Sequence, residues 1–170
     1  MNKQGNELFE YIPSLEHDGL LLQWWMRLVA SGDISKCFME DAKRLSRFYE
    51  LLARPTRVTF KVDAGGIWFV GWFCPILAGA TFDMWVAPQR RKSKAFVEAM
   101  CEALEWGFDR WPVLIGVTAQ ENLLDDHERM GYTVVGPIPD LWDKGKMAWT
   151  MYVTRDSFHA RRTQIVRRSA

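Results

Sequence analysis

The sequence predicts one α/β (α+β) domain built around a mixed β-sheet, and three observations lead to this prediction. Residues 57–63 alternate between polar and apolar side chains, which is typical of a half-buried strand in an antiparallel hairpin. Between residues 79 and 117, a strand, a long amphipathic helix and a continuously apolar strand indicate a parallel crossover. A chain of 170 residues, 48% of them hydrophobic, is long enough to bury one such core.

The first third predicts a short strand followed by two helices. Residues 8–12 form the strand, and an apolar stripe over residues 20–30 indicates the first helix. Asp18 is the expected N-cap of this helix, and Gly32 follows its end. A second helix is expected over residues 37–53, because apolar residues recur there at steps of three and four.

A hairpin follows these helices. The alternating strand turns at Ala64, Gly65 and Gly66 into a second strand over residues 67–73. Pro75 is expected to break the pairing, since proline has no N–H for the ladder. A further strand is predicted over residues 79–86.

The second half contains the crossover and a final pair of strands. The predicted elements are a helix over residues 92–111, a strand over 113–117, a helix over 122–130 capped by Gly131, and strands over 133–138 and 146–154. Together the elements predict a central sheet of six to seven strands flanked by about four helices. We assign residues 1–155 to a single domain and 156–170 to a basic C-terminal tail, which the sequence leaves open as a short helix or a loose end.

Charge and hydropathy narrow the classes of function. The 22 basic and 21 acidic residues nearly cancel, so the whole-chain charge favours neither specific nucleic-acid binding nor a membrane partner. The longest apolar stretch, residues 65–80, is too short for a membrane helix, and the N-terminus lacks a signal-peptide pattern. We expect a cytoplasmic protein.

Cysteine, histidine and tryptophan content add three further expectations. Three cysteines without metal or redox spacing indicate reduced, buried thiols, and three scattered histidines predict no metal site. Nine tryptophans fit either a Trp-rich core or an exposed interface, and the sequence does not separate these two interpretations.

Basic residues cluster where the strand 79–86 leads into the next helix. The segment Val86–Ala95 reads VAPQRRKSKA and carries four cations: Arg90, Arg91, Lys92 and Lys94. A helix N-terminus presents unpaired N–H groups and a positive dipole end, and the small residues Ser93 and Ala95 allow close approach of a phosphate. Four positive charges are unfavourable beside the positive end of the helix dipole unless an anion binds there. The segment therefore predicts an anion site, for a cofactor phosphate or for an acidic segment of a partner protein.

The element order and two motifs resemble the GNAT superfamily of N-acetyltransferases. VAPQRRKSKA resembles its acyl-CoA signature, Gln/Arg-x-x-Gly-x-Gly/Ala, with Arg90 in the first place, Ser93 instead of the first Gly and Ala95 in the last. QENLLDDHERMGY, residues 120–132, resembles the Asn-x-x-Ala helix that ends in Leu-Gly-Phe, with Gln120 where Asn is usual and Tyr132 in the last place.

This resemblance implies acetyl-CoA as cofactor and roles for particular residues. The backbones of Met84, Trp85 and Val86 would contact the pantetheine arm, and N–H groups from Arg91 to Ala95 would hold the pyrophosphate, with positive charge from Arg90, Lys92 and Lys94. Gln120 would lie near the pantetheine, and His127 beside the departing thiolate as general acid. Asp83, on the central strand, is the first candidate for the base that deprotonates the amine. A surface histidine among acidic neighbours and a structural aspartate remain the alternatives for these last two.

Two functions remain open at this point. One is an acyl-CoA-dependent N-acyltransferase that acts on an unidentified amine. The other is a non-catalytic structural or assembly protein, because the same motif also resembles phage-encoded minor virion and head-assembly proteins, which implies virion proteins as partners and the virion as location. Binding of CoA without turnover is a third option.

Overall fold

The structure is a computed structural model of the 170-residue chain, and it describes residues 7–34, 44–53, 56–91, 93–141 and 144–168. The strands within these ranges are β1 (Phe9–Glu10), β2 (Arg57–Asp63), β3 (Gly66–Ile76), β4 (Gly79–Val86), β5 (Val113–Thr118), β6 (Thr133–Pro139) and β7 (Met147–Thr154). The helices are α1 (Leu15–Ser31), α2 (Leu45–Ala53), α3 (Lys94–Phe108), α4 (Leu124–Arg129) and α5 (Arg155–Arg168). Short 3₁₀ turns, Pro88–Arg90 and Glu121–Leu123, precede α3 and α4.

All seven strands of the described chain belong to one mixed sheet, in the order β1-β2-β3-β4-β5-β7-β6. β4 and β5 are parallel neighbours, with Ala80 opposite Leu114 and Thr81 opposite Ile115. β7 is antiparallel to both β5 and β6. The predicted α+β class, the six- to seven-stranded mixed sheet and the parallel crossover through α3 are therefore confirmed.

The chain divides into two compact units. The first unit contains Met1–Trp72 and Met84–Arg91, and the second contains Phe73–Asp83 and Lys92–Ala170. In the first unit, Trp24 of α1 is buried against three other aromatic rings, and the ring centroids lie 5.8 Å from Trp85, 6.3 Å from Phe48 and 6.4 Å from Trp72. Part of the tryptophan content therefore belongs to a packed core.

α1 begins earlier than the sequence predicts. Its N-cap is Ser14, whose Oγ accepts a 3.1 Å hydrogen bond from the His17 backbone N–H, whereas Asp18 was expected there. Asp18 lies in the first turn and accepts a 2.6 Å hydrogen bond from the Tyr11 hydroxyl. The first turn has three polar residues and the exposed Leu15, so it lies outside the apolar stripe that predicted the helix. Gly32 ends the helix in the left-handed region at φ 73°, as expected.

β3 continues through Pro75 to Ile76, and the expectation that Pro75 ends the pairing was wrong. A strand accommodates proline near its end, where the ladder does not need the missing N–H. β1 is shorter than predicted and consists of Phe9 and Glu10, paired with Phe60 and Thr59 of β2.

In the second unit, α3 packs closely on the strands through Gly107. A Cβ at Gly107 would lie 2.6 Å from the Phe73 ring and 3.0 Å from Leu114. Residues 155–168 form α5, and Phe158 is fully buried with its ring 5.7 Å from that of Phe108. The polar segment that the sequence left open as a loose end thus contributes a core side chain.

The boundaries of two predicted helices differ from the structure, and a third helix is described only in part. α3 begins at Lys94 instead of residue 92 and ends at Phe108, before a turn at residues 109–110. α4 has six residues, because the first part of the expected helix is a 3₁₀ turn that a 3.6-residue period does not distinguish. The expected helix 37–53 is seen as α2 from Leu45, and residues 37–43 lie outside the described ranges.

The cysteines that the structure describes are free thiols. Cys101 is buried, and burial raises the pKa of its thiol to about 11, whereas Cys74 is part-exposed. Cys37 lies outside the described ranges. Across the described residues, every helix is too short or too polar to cross a membrane.

Candidate functional site

Ser93 caps the N-terminus of α3. Its Oγ accepts a 3.1 Å hydrogen bond from the backbone N–H of Phe96, and its carbonyl accepts from Phe96 and Val97 at 3.1 and 3.3 Å. The N–H groups of Lys94 and Ala95 are the first of the helix, so they have no acceptor within it. Together with the helix dipole, such groups favour an anion at this end.

The charges beside this end of α3 are positive. Lys94 is exposed, and the first turn of α3 contains no acidic residue. Lys92 lies outside the described ranges. Without a carboxylate in that turn, the helix dipole and the exposed Lys94 both favour an anion.

Arg90 lies in the first unit and contacts other residues of that unit. Its Nη2 donates a 2.7 Å hydrogen bond to Oδ2 of Asp63, and its guanidinium carbon lies 5.3 Å from the centroid of the Trp68 ring. Oδ1 of Asp63 also accepts a 2.8 Å hydrogen bond from the backbone N–H of Gly65 in the β2–β3 turn. Arg90 thus connects the 3₁₀ turn after β4 to the preceding hairpin.

The end of β4 places the three predicted pantetheine residues in the first unit. Trp85 is buried, and its ring meets Trp24 edge to face. Met84 and Val86 are half-buried and point to the opposite face, since side chains alternate along a strand. The side chain of Trp85 therefore belongs to the core, and only its backbone remains for the predicted role.

Gln120 follows β5 and is exposed. Its backbone N–H donates a 3.1 Å hydrogen bond to Oγ1 of Thr118, a buried residue at the end of β5. This contact fixes where the chain leaves the strand and enters the 3₁₀ turn Glu121–Leu123.

Of the two predicted catalytic residues, His127 contacts Tyr132, and Asp83 acts on Tyr132 through its charge. The His127 ring stands edge to face on the Tyr132 ring, with centroids 5.5 Å apart. Burial raises the pKa of the Tyr132 phenol far above its ordinary value, and the nearby negative charge of Asp83 raises it further. All three residues lie in the second unit.

The hydrogen bond of His127 determines its tautomer. Nδ1 lies 2.6 Å from the carbonyl oxygen of Leu123, and a carbonyl only accepts, so Nδ1 carries the hydrogen. Burial lowers the pKa of His127, although the Leu123 carbonyl and Asp126 act in the opposite direction. In the neutral ring Nε2 then holds a lone pair and can accept a proton but not donate one.

Tyr132 is the residue of this cluster to which the sequence analysis assigned no chemistry. It was noted only for its place in the Met-Gly-Tyr ending of the second motif. A phenol where the resembled motif has Phe was the available signal, because it puts a titratable group into an otherwise apolar position.

Potential metal ligands were considered in the sequence analysis, which predicted no metal site. Within the part of the chain that the structure describes, no group of three or more His, Cys, Asp or Glu side chains is arranged to hold a metal ion.

Sequence comparison finds no match, either to a protein-family model or to a curated protein. Solved structures do match. A ribosomal-protein-alanine N-acetyltransferase from Brucella melitensis is 14% identical, with a TM-score of 0.66 over 86% of this chain and 99% of that one. An aminoglycoside 6'-N-acetyltransferase in complex with coenzyme A is 14% identical, with a TM-score of 0.64 over 87% and 96%.

A third match is an acetyltransferase of the GNAT family from Streptococcus pneumoniae. It is 12% identical, with a TM-score of 0.63 over 87% of this chain and 99% of that one. These matches span nearly the whole chain at low identity, so they establish the fold. The chain has the α+β fold of the GNAT acetyltransferases.

Proposed function

We propose that this protein is an acyl-CoA-dependent N-acyltransferase that binds the cofactor pyrophosphate at the N-terminus of α3. The observation that carries the proposal is the Ser93-capped helix end, which has exposed Lys94 in its first turn and no acidic residue there. Structural relatives with the same fold are acetyltransferases, and one of them was solved with coenzyme A. An anion at this helix end would offset the otherwise unfavourable clustering of cations.

The residues at the helix end fit a phosphate in size and charge. Ser93 and Ala95 are small, and the N–H groups of Lys94 and Ala95 start the helix. The positive charge that the sequence analysis expected from Arg91 stays a prediction. Because Arg90 contacts Asp63, we give it a smaller part than the sequence analysis did. The contributions predicted for Lys92, Gln120 and the backbone of residues 84–86 stay predictions.

Acyl transfer needs a neutral amine and a proton for the leaving sulfur. A bound acyl-CoA would supply the activated acyl group. Asp83 remains the candidate for the base that takes the proton from the attacking amine, and its carboxylate lies near the buried Tyr132 phenol. In the tautomer present here, His127 is suited to accept a proton at Nε2 and unsuited to the acid role that the family resemblance implies.

The first test is calorimetric titration with acetyl-CoA of the wild type and of a matched pair, Ser93→Asp and Ser93→Asn. Both substitutions retain a good N-cap, so they differ mainly in the negative charge that Asp places at the helix end. We expect micromolar binding by the wild type and by Ser93→Asn. For Ser93→Asp we expect affinity to fall at least ~10-fold, since repulsion over a few Å exceeds about 1.4 kcal/mol in a partly screened site.

The outcomes separate the candidate functions. Equal affinity for Ser93→Asp and Ser93→Asn would place the cofactor elsewhere. Absence of binding to the wild type would contradict the acyltransferase proposal and favour the non-catalytic assembly role. If binding is found, thiol release from acetyl-CoA in the presence of a panel of primary amines identifies the acceptor.

A further inference from the structure

The helix α5 follows β7 without a connecting loop, and its first turn is capped reciprocally. The backbone N–H of Thr154 donates a 3.1 Å hydrogen bond to Oγ of Ser157, and the Ser157 N–H donates a 3.2 Å hydrogen bond to Oγ1 of Thr154. Such a reciprocal pair is the arrangement of a capping box, which fixes where a helix starts. The junction at Thr154 is therefore the fixed end from which α5 leaves the sheet.

One buried side chain anchors the described part of α5 on α3. Over residues 155–162, where the side chains of α5 are described, Phe158 is buried, Ser157 is half-buried and the others are exposed. The Phe158 ring lies 5.7 Å from the ring of Phe108, the last residue of α3. A helix with so little buried apolar surface detaches at a lower free-energy cost than the core of the fold.

Hydrogen bonds to two carboxylates supplement this anchor. Glu105 of α3 accepts from Nε2 of His159, at 2.9 and 3.0 Å to its two oxygens, and from Nη1 of Arg162. Arg155 donates a 2.7 Å hydrogen bond to Asp109, which directly follows α3. All five side chains are partly exposed, so each contact contributes little by itself and is weakened by salt.

The first turn of α5 also supports the turn between α4 and β6. An added Cβ at Gly131 would lie 2.6 Å from the Ser157 carbonyl oxygen and 3.0 Å from Cα of Phe158, so the two backbones are in direct contact. The residue after Gly131 is Tyr132, whose N–H donates a 3.1 Å hydrogen bond to the His127 carbonyl. α5 therefore packs on the turn that follows the candidate residue His127.

Cys101 of α3 offers a chemical reporter of this packing. It lies one turn before Glu105 on the same side of the helix, and the positive charge of Arg162 acts on its thiol. The thiol is buried, and burial raises its pKa to about 11. A buried, protonated thiol is unreactive, so alkylation requires its cover to open.

We propose that α5 is a strap that opens from α3 as a unit while the sheet stays folded, and that its docking orders the turn between α4 and β6. In the closed state, Glu105 holds His159 and Arg162, and Phe158 is buried against α3. In the open state, Phe158 and Cys101 become accessible, and the turn at Gly131 loses the backbone that packs on it. The strap goes beyond the proposed function and is independent of acyl-CoA binding.

The test measures opening of the full-length protein at neutral pH. Amide hydrogen exchange by NMR at residues 159–162 reports α5, the Tyr132 amide reports the turn, and the amides of β5, which is paired on both sides, report global unfolding. Alkylation of Cys101 by N-ethylmaleimide, read by peptide mass spectrometry and divided by its rate in the urea-unfolded chain, gives a second measure of opening. We expect α5, Tyr132 and Cys101 to be at least ~100-fold less protected than β5.

Glu105→Gln tests what holds the strap closed, because it removes the charge and keeps the shape. Alkylation of Cys101 and exchange at Tyr132 should both become at least ~5-fold faster. Glu98→Gln, at an exposed position of α3, is the matched control, since its charge also acts on the Cys101 thiol, and it should change alkylation less than about 2-fold. Raising NaCl to about 1 M should accelerate alkylation of the wild type and leave Glu105→Gln nearly unchanged.

Three results would overturn the proposal. Protection of α5 and Cys101 equal to that of β5 would show that α5 opens only when the whole fold does. Equal acceleration of alkylation by Glu105→Gln and Glu98→Gln would show that the contacts of Glu105 do not hold the strap. A response of Cys101 to Glu105→Gln without any response of Tyr132 would show that α5 does not order the turn. Acetyl-CoA is absent from these experiments, so the proposed function stands or falls separately.

Discussion

Arg90 and Asp63 form a 2.7 Å hydrogen-bonded ion pair between the 3₁₀ turn after β4 and the end of β2. Arg90 occupies the first place of the motif that resembles an acyl-CoA signature, yet a phosphate would have to compete with Asp63 for its guanidinium. Its position over the Trp68 ring adds a further contact within the same unit. These contacts indicate that Arg90 orders the turn, whereas Arg91 is exposed.

A double-mutant cycle measures this pair. We expect Arg90→Ala and Asp63→Asn to show a coupling of about 0.2–1 kcal/mol in urea unfolding, because both side chains are partly exposed and the charges are screened. Arg91→Ala should leave the free energy of unfolding nearly unchanged and weaken acetyl-CoA binding more than Arg90→Ala does. The reverse order of the two effects on binding would return Arg90 to the cofactor site.

Gly131→Ala should destabilise the protein strongly. The residue has φ +93°, and an added Cβ would lie 2.6 Å from the Ser157 carbonyl oxygen at the start of α5. Left-handed strain costs about 1–2 kcal/mol, and overlap with backbone that cannot move away raises the expected loss to about 3 kcal/mol or more. Chemical unfolding monitored by circular dichroism gives the value.

Gly32→Ala is the control for that substitution. Gly32 also has positive φ, at +73°, but nothing lies within 4 Å of an added Cβ. Strain alone should therefore cost about 1–2 kcal/mol there. If the two variants lose the same stability, the close approach of α5 to Gly131 is not a significant constraint.

Tyr11 should make stability depend on alkaline pH. Burial, and then its hydrogen bond to Asp18, raise the pKa of Tyr11 from 10.0 to about 12. The fold thus favours the protonated phenol, and this stabilisation is complete below about pH 10 and is lost as pH rises through about 12. Tyr11→Phe should be less stable than the wild type below pH 10 and should show a shallower decline between those two values.

The measurement is the urea midpoint at a series of pH values, with Tyr152→Phe as an exposed control that should follow the wild type. Tyr132 is present in every variant, so its own titration cancels in the comparison. Parallel curves for Tyr11→Phe and the wild type across the alkaline range would show that the Tyr11–Asp18 hydrogen bond does not contribute.

Local patterns were sufficient for most of the elements. The two-residue alternation of β2, the glycines of the β2–β3 turn and the apolar stripe of α3 each depend on neighbours within a few positions. Boundaries were less accurate where a polar first turn begins a helix, as at Ser14, or where a 3₁₀ turn precedes one, as at Glu121–Leu123.

By itself, the sequence determined the fold class, the order of the elements and a basic helix start within the segment Val86–Ala95, because propensity and periodicity act locally. Only the tertiary structure decided that Arg90 pairs with Asp63, 27 residues away, and that the His127 ring stands against Tyr132. Those contacts depend on which strands are neighbours and in what register, and that is set by burial of the whole core, beyond the range of any local pattern.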